Sequence, residues 1–379
     1  MWLIPVLSTL PASATTTVTT TREDQTMTAS TDFDIRVTAG ADTHRDTHMV
    51  AALDQRGAEL GVREFTTDPA GLDDILNWLE TFGTIERIGI EGTGTYGAGL
   101  CRFMQHHDID VVEVTRGDRQ ERRSHGKSDP VDAVAAARAA QSGKAVAQPK
   151  SRTGSVEAIR ALRLVRRSAT RDRTGALNQM RALVVTAPDE IREEFRGLTI
   201  RKLVAGAARL RPGDPTTAAG ATKFALRELA RRIKTLDAQL ASVNAILGPL
   251  VATTAPDLVA RHGIGTDTAA TLLVTAGDNP ERLRSEASFA HLCASAPIDA
   301  SSGLIKRKRL NPRGDRIANE ALWRIVMVRM STDPRTRAYV ARRTLEGKSK
   351  REIMRCLKRY VAREVFSDLN NLIQPLDKQ

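Results

Sequence analysis

The chain has 379 residues, 41% hydrophobic and only 4% aromatic, with 57 Lys and Arg against 45 Asp and Glu for a net charge of +12. That length supports two or three cores, the scarcity of aromatic rings argues against base stacking as the main mode of nucleic-acid contact, and no stretch is long and apolar enough to span a bilayer. Cys101, Cys293 and Cys356 lie far apart with no CxxC pair, which gives no support to a zinc site or disulfide framework and fits a reducing cytoplasm.

The N-terminal MWLIPVLSTLPASA resembles a signal peptide in its apolar run and Ala-rich end, but it has no basic n-region and is interrupted by Pro5 and Pro11. The Thr-rich stretch that follows reads as disordered. Residues 1–33 are therefore expected to be a disordered extension, with Met27 a candidate initiator. From Ile35, three short runs with alternating or β-branched apolar residues (IRVTAGAD, HMVAALD and GVREFTT) predict an antiparallel meander. Pro69 to Phe82 has Leu72, Ile75, Leu76 and Leu79 on one helical face. RIGIEG reads as a buried strand, Tyr96 to His107 as a helix, IDVVEV as a strand, and a further helix begins at Asp129. This order is that of a ribonuclease H-like α/β fold, assigned to residues 34–150.

Residues 151–253 read as an all-α connector. Ser155 to Met180 and Lys223 to Leu250 have helical period, and the second places Leu226, Leu229, Ile233, Leu236, Leu240, Val243 and Leu247 three or four residues apart. That is a coiled-coil or helical-hairpin seam, expected to pair with the first helix or with another subunit. Arg211 to Gly220 is the intervening loop. Residues 254–379 read as a helical domain opening on LVARHGIGTDTAATLLVTAG, a helix-hairpin-helix-like segment. There the amides around Gly263 and Gly265 would face a DNA phosphate, although packing explains such a turn about as well. Between Ser301 and Arg363 stand 19 Lys and Arg against 5 Asp and Glu. A surface of that density attracts phosphate backbones, with affinity that falls steeply in salt.

The residues able to do chemistry are carboxylates. Asp42 ends the first strand in GADTH, Glu91 ends a buried strand in GIEGTG, and KSDPVDA places Asp129 and Asp132 one turn apart at a helix start. Buried charge at a strand end needs a partner or a metal. Capping by itself explains the Asp129 and Asp132 pair, yet all four carboxylates together could hold two divalent ions about 4 Å apart. His44, Asp46 and His48 alternate with Asp42 in the manner of a transition-metal site, but a polar turn entering the second strand is the preferred explanation.

GADTH, IEGTGTYG, KSDPVDA, GIGTDTAATLL and APIDASSGLIKRKRLNPRGD, spaced as they are, resemble the DEDD transposases of bridge-RNA-guided insertion sequences, relatives of the Piv-type invertases. The resemblance runs from about Ile35 to Leu369. It implies a RuvC-like domain whose Asp, Glu, Asp and Asp are Asp42, Glu91, Asp129 and Asp132, binding two Mg²⁺ ions with Mn²⁺ as a substitute. It further implies a serine-bearing transposase domain whose nucleophile, before a glycine and shortly after a proline, is Ser302. Read without the resemblance, Ser302 sits in an exposed loop, and Ser301 stays open as a substitute. Lys306, Arg307, Lys308, Arg309, Arg313 and Arg316 would hold phosphates beside the attacked bond. The implied activity is DNA cutting and rejoining through a serine-phosphate intermediate guided by a structured noncoding RNA. A homodimer would assemble into a synaptic tetramer on element ends and target, in the cytoplasm of a bacterial cell at the nucleoid. Two other readings stay open: a hydrolytic nuclease of the Holliday-junction-resolvase type, and a non-catalytic nucleic-acid-binding protein.

Overall fold

A computed structural model describes residues 35–114, 128–143, 145, 147–303, 308–311 and 314–371. The N-terminal extension, Lys306, Arg307 and Arg313 lie outside the described residues. The first domain is built on a five-stranded sheet of β1 (Arg36–Thr43), β2 (Thr47–Leu53), β3 (Glu59–Thr66), β4 (Thr84–Glu91) and β5 (Asp110–Val114), ordered β3-β2-β1-β4-β5. The meander β1-β2-β3 is antiparallel, and β4 and β5 then run parallel to β1. Helices α1 (Pro69–Glu80) and α2 (Ala98–His106) cover one face, closing a core around Ile75, Leu79, Ile88, Ile90, Leu100 and Met104. Asp68 caps α1, accepting from the amide of Gly71 at 2.8 Å with Pro69 in the first turn, which satisfies an amide the helix leaves unpaired. The layout is compatible with the ribonuclease H-like arrangement expected.

The opposite face carries α3 (Asp129–Gln141), whose Ala133, Ala136, Ala137 and Ala140 are buried. Gly40 of β1 and Gly89 of β4 stand side by side in the register. A Cβ on Gly40 would lie 2.1 Å from the Ala137 nitrogen, and one on Gly89 would lie 2.7 Å from the Ala136 carbonyl oxygen. Two bare glycines facing an alanine-lined helix thus let α3 rest directly on the sheet backbone.

Helices α4 (Ser155–Val185) and α7 (Ala218–Thr254) form a long antiparallel pair. At one end Val156 and Ile159 share a core with Leu247 and Val251. At the other, Leu177 and Met180 pack with Leu226, Ala230 and Ile233. Arg166 donates to Asn244 at 2.8 Å and Arg173 pairs with Asp237 between them. The seam from Leu226 to Leu247 therefore finds its partner in the same chain. Helix α7 starts at Ala218, inside the stretch expected to be loop, because Thr217 caps it, accepting from Gly220 at 3.1 Å. Two short helices, α5 (Asp189–Phe195) and α6 (Ile200–Ala207), close the tip with Ile191, Phe195 and Leu203. Neither was expected; each spans about two turns, too few for a clear apolar period.

The C-terminal core gathers α8 (Pro256–Ala260), α9 (Thr266–Ala276), α10 (Glu286–Leu292), α11 (Arg316–Thr332), α12 (Pro334–Leu345) and α13 (Lys350–Asn371) around Leu272, Phe289, Leu322, Ile325 and Val365. A small antiparallel hairpin, β6 (Pro297–Asp299) and β7 (Lys308–Leu310), projects from it. Asp278 ties this domain to the helical pair, accepting from the amides of Val156 and Glu157 at the start of α4. Among the described residues no helix is long and apolar enough to cross a membrane.

Candidate active site

The α3 groove is what assembles the acidic residues. Side chains two apart on a strand share a face, so Asp42 and Glu91, each two residues beyond a groove glycine, face the side on which α3 lies. Along α3, Ala137 and Ala133 meet Gly40, and one turn further toward the N-terminus comes Asp129. The helix thus delivers Asp129 and Asp132 to the strand ends bearing Asp42 and Glu91. Thr43 clamps the two strand ends together, donating to the Glu91 carbonyl at 2.7 Å.

Asp42 is 8% exposed and Asp129 and Asp132 are half-buried. Burial foremost pushes the Asp42 carboxyl above its ordinary 3.8; His44 opposes that shift, while the charges of Glu91, Asp132 and Asp129 reinforce it. Four carboxylates converging on one face form a site compatible with a bound cation. His44 sits inside this cluster, with Nε2 at 3.3 Å from Asp42 Oδ2 and 3.4 Å from Asp129 Oδ2. Nε2 is buried but has no hydrogen-bond partner. An orphaned ring nitrogen among carboxylate oxygens is a donor set that fits a divalent metal.

The polar turn expected at this alternation is present between β1 and β2, closed by the His44 amide on the Thr47 carbonyl, and the structure separates its members. Of the alternating trio, His44 belongs to the acidic site, whereas Asp46 is exposed and paired with Arg45, and His48 is buried opposite Thr43 and Phe65. His48 is one residue out of phase with Asp42 and so faces the other side of the sheet. Only a register could have separated the two histidines.

Ser302 lies elsewhere, exposed in the loop following β6, with Ser301 exposed beside it and Gly303 in a left-handed turn at φ +56°. No described hydrogen bond or ion pair links Ser302 to the carboxylates, which belong to a different core. The loop's base is firmly held. Asn311 donates to the His291 carbonyl at 3.1 Å, and the Asp315 amide to the Leu292 carbonyl at 2.6 Å. Gly314 lies against the Ala294 backbone, where a Cβ would come within 2.5 Å of its nitrogen. Asp315 then caps α11 through the amides of Ile317 and Ala318. Asn311, Gly314 and Asp315 are therefore scaffolding for the serine-bearing hairpin.

Among the expected phosphate-binding residues, Lys308, Arg309 and Arg316 are exposed, and Lys308 is ion-paired with Asp299 across the hairpin. Gly263 turns between α8 and α9 at φ +81° and packs against Arg329, which donates to the His262 carbonyl at 2.9 Å. Gly265 precedes α9 and has open space on its side-chain position. Asp267 in the first turn of α9 is directed into an ion pair with Arg166 at 2.8 Å.

Residues 39–187 match a family model for DEDD transposases of IS110 elements, described as a transposase, and residues 258–341 match one described as the transposase IS116/IS110/IS902 family. No curated protein matches the chain.

Proposed function

Since the chain carries both transposase domains of the IS110 family, and so cuts and rejoins DNA in the movement of a mobile element, we propose that it works through a carboxylate metal site joined to a serine nucleophile. The observation that carries this reading is the convergence of Asp42, Glu91, Asp129 and Asp132 at one end of α3. The five-stranded α/β domain, compatible with a ribonuclease H-like layout, supports it, and in this reading it is a RuvC-like domain. Asp42, Glu91, Asp129 and Asp132 would hold Mg²⁺ or Mn²⁺, two ions in the full site. Such ions, when bound, supply charge to stabilise the attacking and leaving oxygens of a phosphodiester.

In this reading Ser302 Oγ bonds to the scissile phosphorus as the bond to one flanking sugar oxygen breaks. The serine proton leaves to a base and the departing oxygen gains one. The phosphoserine link keeps the bond energy, so a sugar hydroxyl of another strand reverses the step and rejoins DNA. Lys308, Arg309 and Arg316, with Lys306, Arg307 and Arg313, would hold the flanking phosphates, while the amides at Gly263 and Gly265 would take a phosphate further along. Because Ser302 and the carboxylates sit in separate domains, completing the site across protomers is the favoured arrangement. A homodimer paired into a tetramer on DNA would achieve it, and the exposed Leu164, Val165 and Ile246 of the α4–α7 pair offer contact surface. The basic C-terminal domain supports a structured guide RNA as a further partner, on the pattern of bridge-RNA-guided elements and their Piv-type relatives. The setting would be the bacterial cytoplasm, at the nucleoid.

The test is incubation with Mg²⁺, cognate element ends and RNA from beside the gene. The expected product is a denaturant-resistant protein–DNA adduct, lost in Ser302→Ala. Normal cleavage by Ser302→Ala would favour a hydrolytic nuclease instead, and no cleavage under any condition a non-catalytic binding protein.

A further inference from the structure

We propose that His44 is a direct metal ligand through Nε2, sharing one ion with Asp42 and Asp129 and giving the site a preference for Mn²⁺ over Mg²⁺. This rests on the carboxylate metal reading above and adds to it a nitrogen donor outside the four acidic residues. Three features of the structure carry it. The first is spacing: Asp42, His44 and Asp129 form the one group of three or more metal-ligating residues among the described residues whose donor atoms all lie within 4.8 Å of one another. Two ligands bonded at 2.0–2.2 Å to one ion, at angles between octahedral and tetrahedral, stand about 3.0–3.5 Å apart. The 3.3 and 3.4 Å separations of Nε2 from the two carboxylate oxygens fall in that interval.

The second feature is the missing hydrogen bond. Nε2 is buried and lies 3.3 and 3.4 Å from the two carboxylate oxygens, yet makes a hydrogen bond with neither, which leaves it available to a metal ion. The third is rigidity. The His44 amide donates to the Thr47 carbonyl at 3.0 Å, closing the tight turn between β1 and β2. The backbone carrying the ring is thus fixed beside Asp42, so little ordering is needed on binding. Imidazole is a better donor to Mn²⁺ and later first-row ions than to Mg²⁺, which prefers oxygen and keeps its water. A nitrogen in the set therefore tilts selectivity without abolishing Mg²⁺ binding.

The experiment titrates the full chain with Mn²⁺, followed by electron paramagnetic resonance, and records electron spin-echo modulation from directly coordinated ¹⁴N. Wild type should show ¹⁴N coupling. His44→Gln should bind Mn²⁺ about tenfold or more weakly with that coupling gone, while Mg²⁺ affinity, measured by competition, falls no more than about threefold. Bound Mn²⁺ without ¹⁴N coupling in wild type overturns the assignment of His44 while leaving the carboxylates in place, and so does coupling that survives His44→Gln. Absence of Mn²⁺ binding to wild type overturns the carboxylate site itself. Should His44→Gln not fold, the wild-type spectrum and a His44→Ala variant decide the matter by the same signature.

Discussion

Gly40→Ala puts the α3 groove to a direct test. Its new Cβ would lie 2.1 Å from the Ala137 nitrogen and 2.4 Å from the Ala133 carbonyl oxygen. Both are backbone atoms of a helix, so no side chain can swing aside. To restore an ordinary 3.4 Å contact, α3 must retreat by about 1.3 Å, the difference between 3.4 and 2.1 Å. Overpacking of this kind costs roughly 1–3 kcal/mol, and the rigid backbone on both sides places this case at the upper end. The same retreat draws Asp129 and Asp132 away from Asp42 and Glu91. A misplacement of about 1 Å in a catalytic constellation costs roughly a hundredfold in rate. Urea unfolding and Mn²⁺ binding of Gly40→Ala should therefore fall together. Gly175→Ala, in the middle of α4 with open space around it, should instead stabilise by roughly 0.5–1 kcal/mol. A Gly40→Ala protein with wild-type stability and wild-type metal affinity would refute the account of how the acidic residues are brought together.

Three further expectations follow from individual groups. Asp42 has its carboxyl raised above 3.8 in the fold, so the native metal-free chain binds more protons than the unfolded one, and Asp42's contribution is lost as pH rises through the window above 3.8. In chelator, Asp42→Asn should gain on wild type as pH rises above 3.8, followed by chemical denaturation; a wild type that gained on the variant as pH rose would reverse the sign. Lys150, which donates to the Val274 carbonyl at 2.6 Å, is lowered from 10.5 to about 8, mainly by burial. Its protonated form is penalised below about 8 and the penalty is relieved up to 10.5, so wild type should gain on Lys150→Met by roughly 3 kcal/mol across that window, and a flat difference would count against it. Ile233 is fully buried against α4, and Ile233→Asp should cost roughly 3–5 kcal/mol and open the tip of the helical pair to protease, whereas an unchanged digestion pattern would show that the seam does not pack there.

What the sequence revealed divides along the range of the interactions. Strands and helices whose apolar period runs over several repeats, such as α1 with Ile75 and Leu79 or α7 with Leu226 and Ile233, are legible because period and burial are the same fact seen twice. The four carboxylates could be picked out by their positions at strand ends and a helix start, and by the resemblance of their surroundings. Ser302, the proposed nucleophile, was singled out only through that resemblance, since a Ser-Ser-Gly loop before basic residues has no local feature that would select it.

What stayed hidden depends on register and on approach between distant segments. GADTHRDTH offers two histidines and two aspartates in alternation, and nothing local says which share a face. The tight turn, closed by the His44 amide on Thr47, puts His44 beside Asp42 and leaves His48, on β2, paired with Thr43 of β1. Gly40 and Gly89, separately, read as small residues in apolar strands. Their meaning appears only when β1 and β4 pair in parallel and set them side by side, at the place where Ala133, Ala136 and Ala137 must descend. The alanine run of α3 has the same ambiguity from the other side, because alanine is a strong helix former whether or not anything rests on it. The site is thus specified by the absence of side chains at its foundation as much as by the carboxylates at its mouth, and an absence gains physical content only once its neighbour across the fold is known.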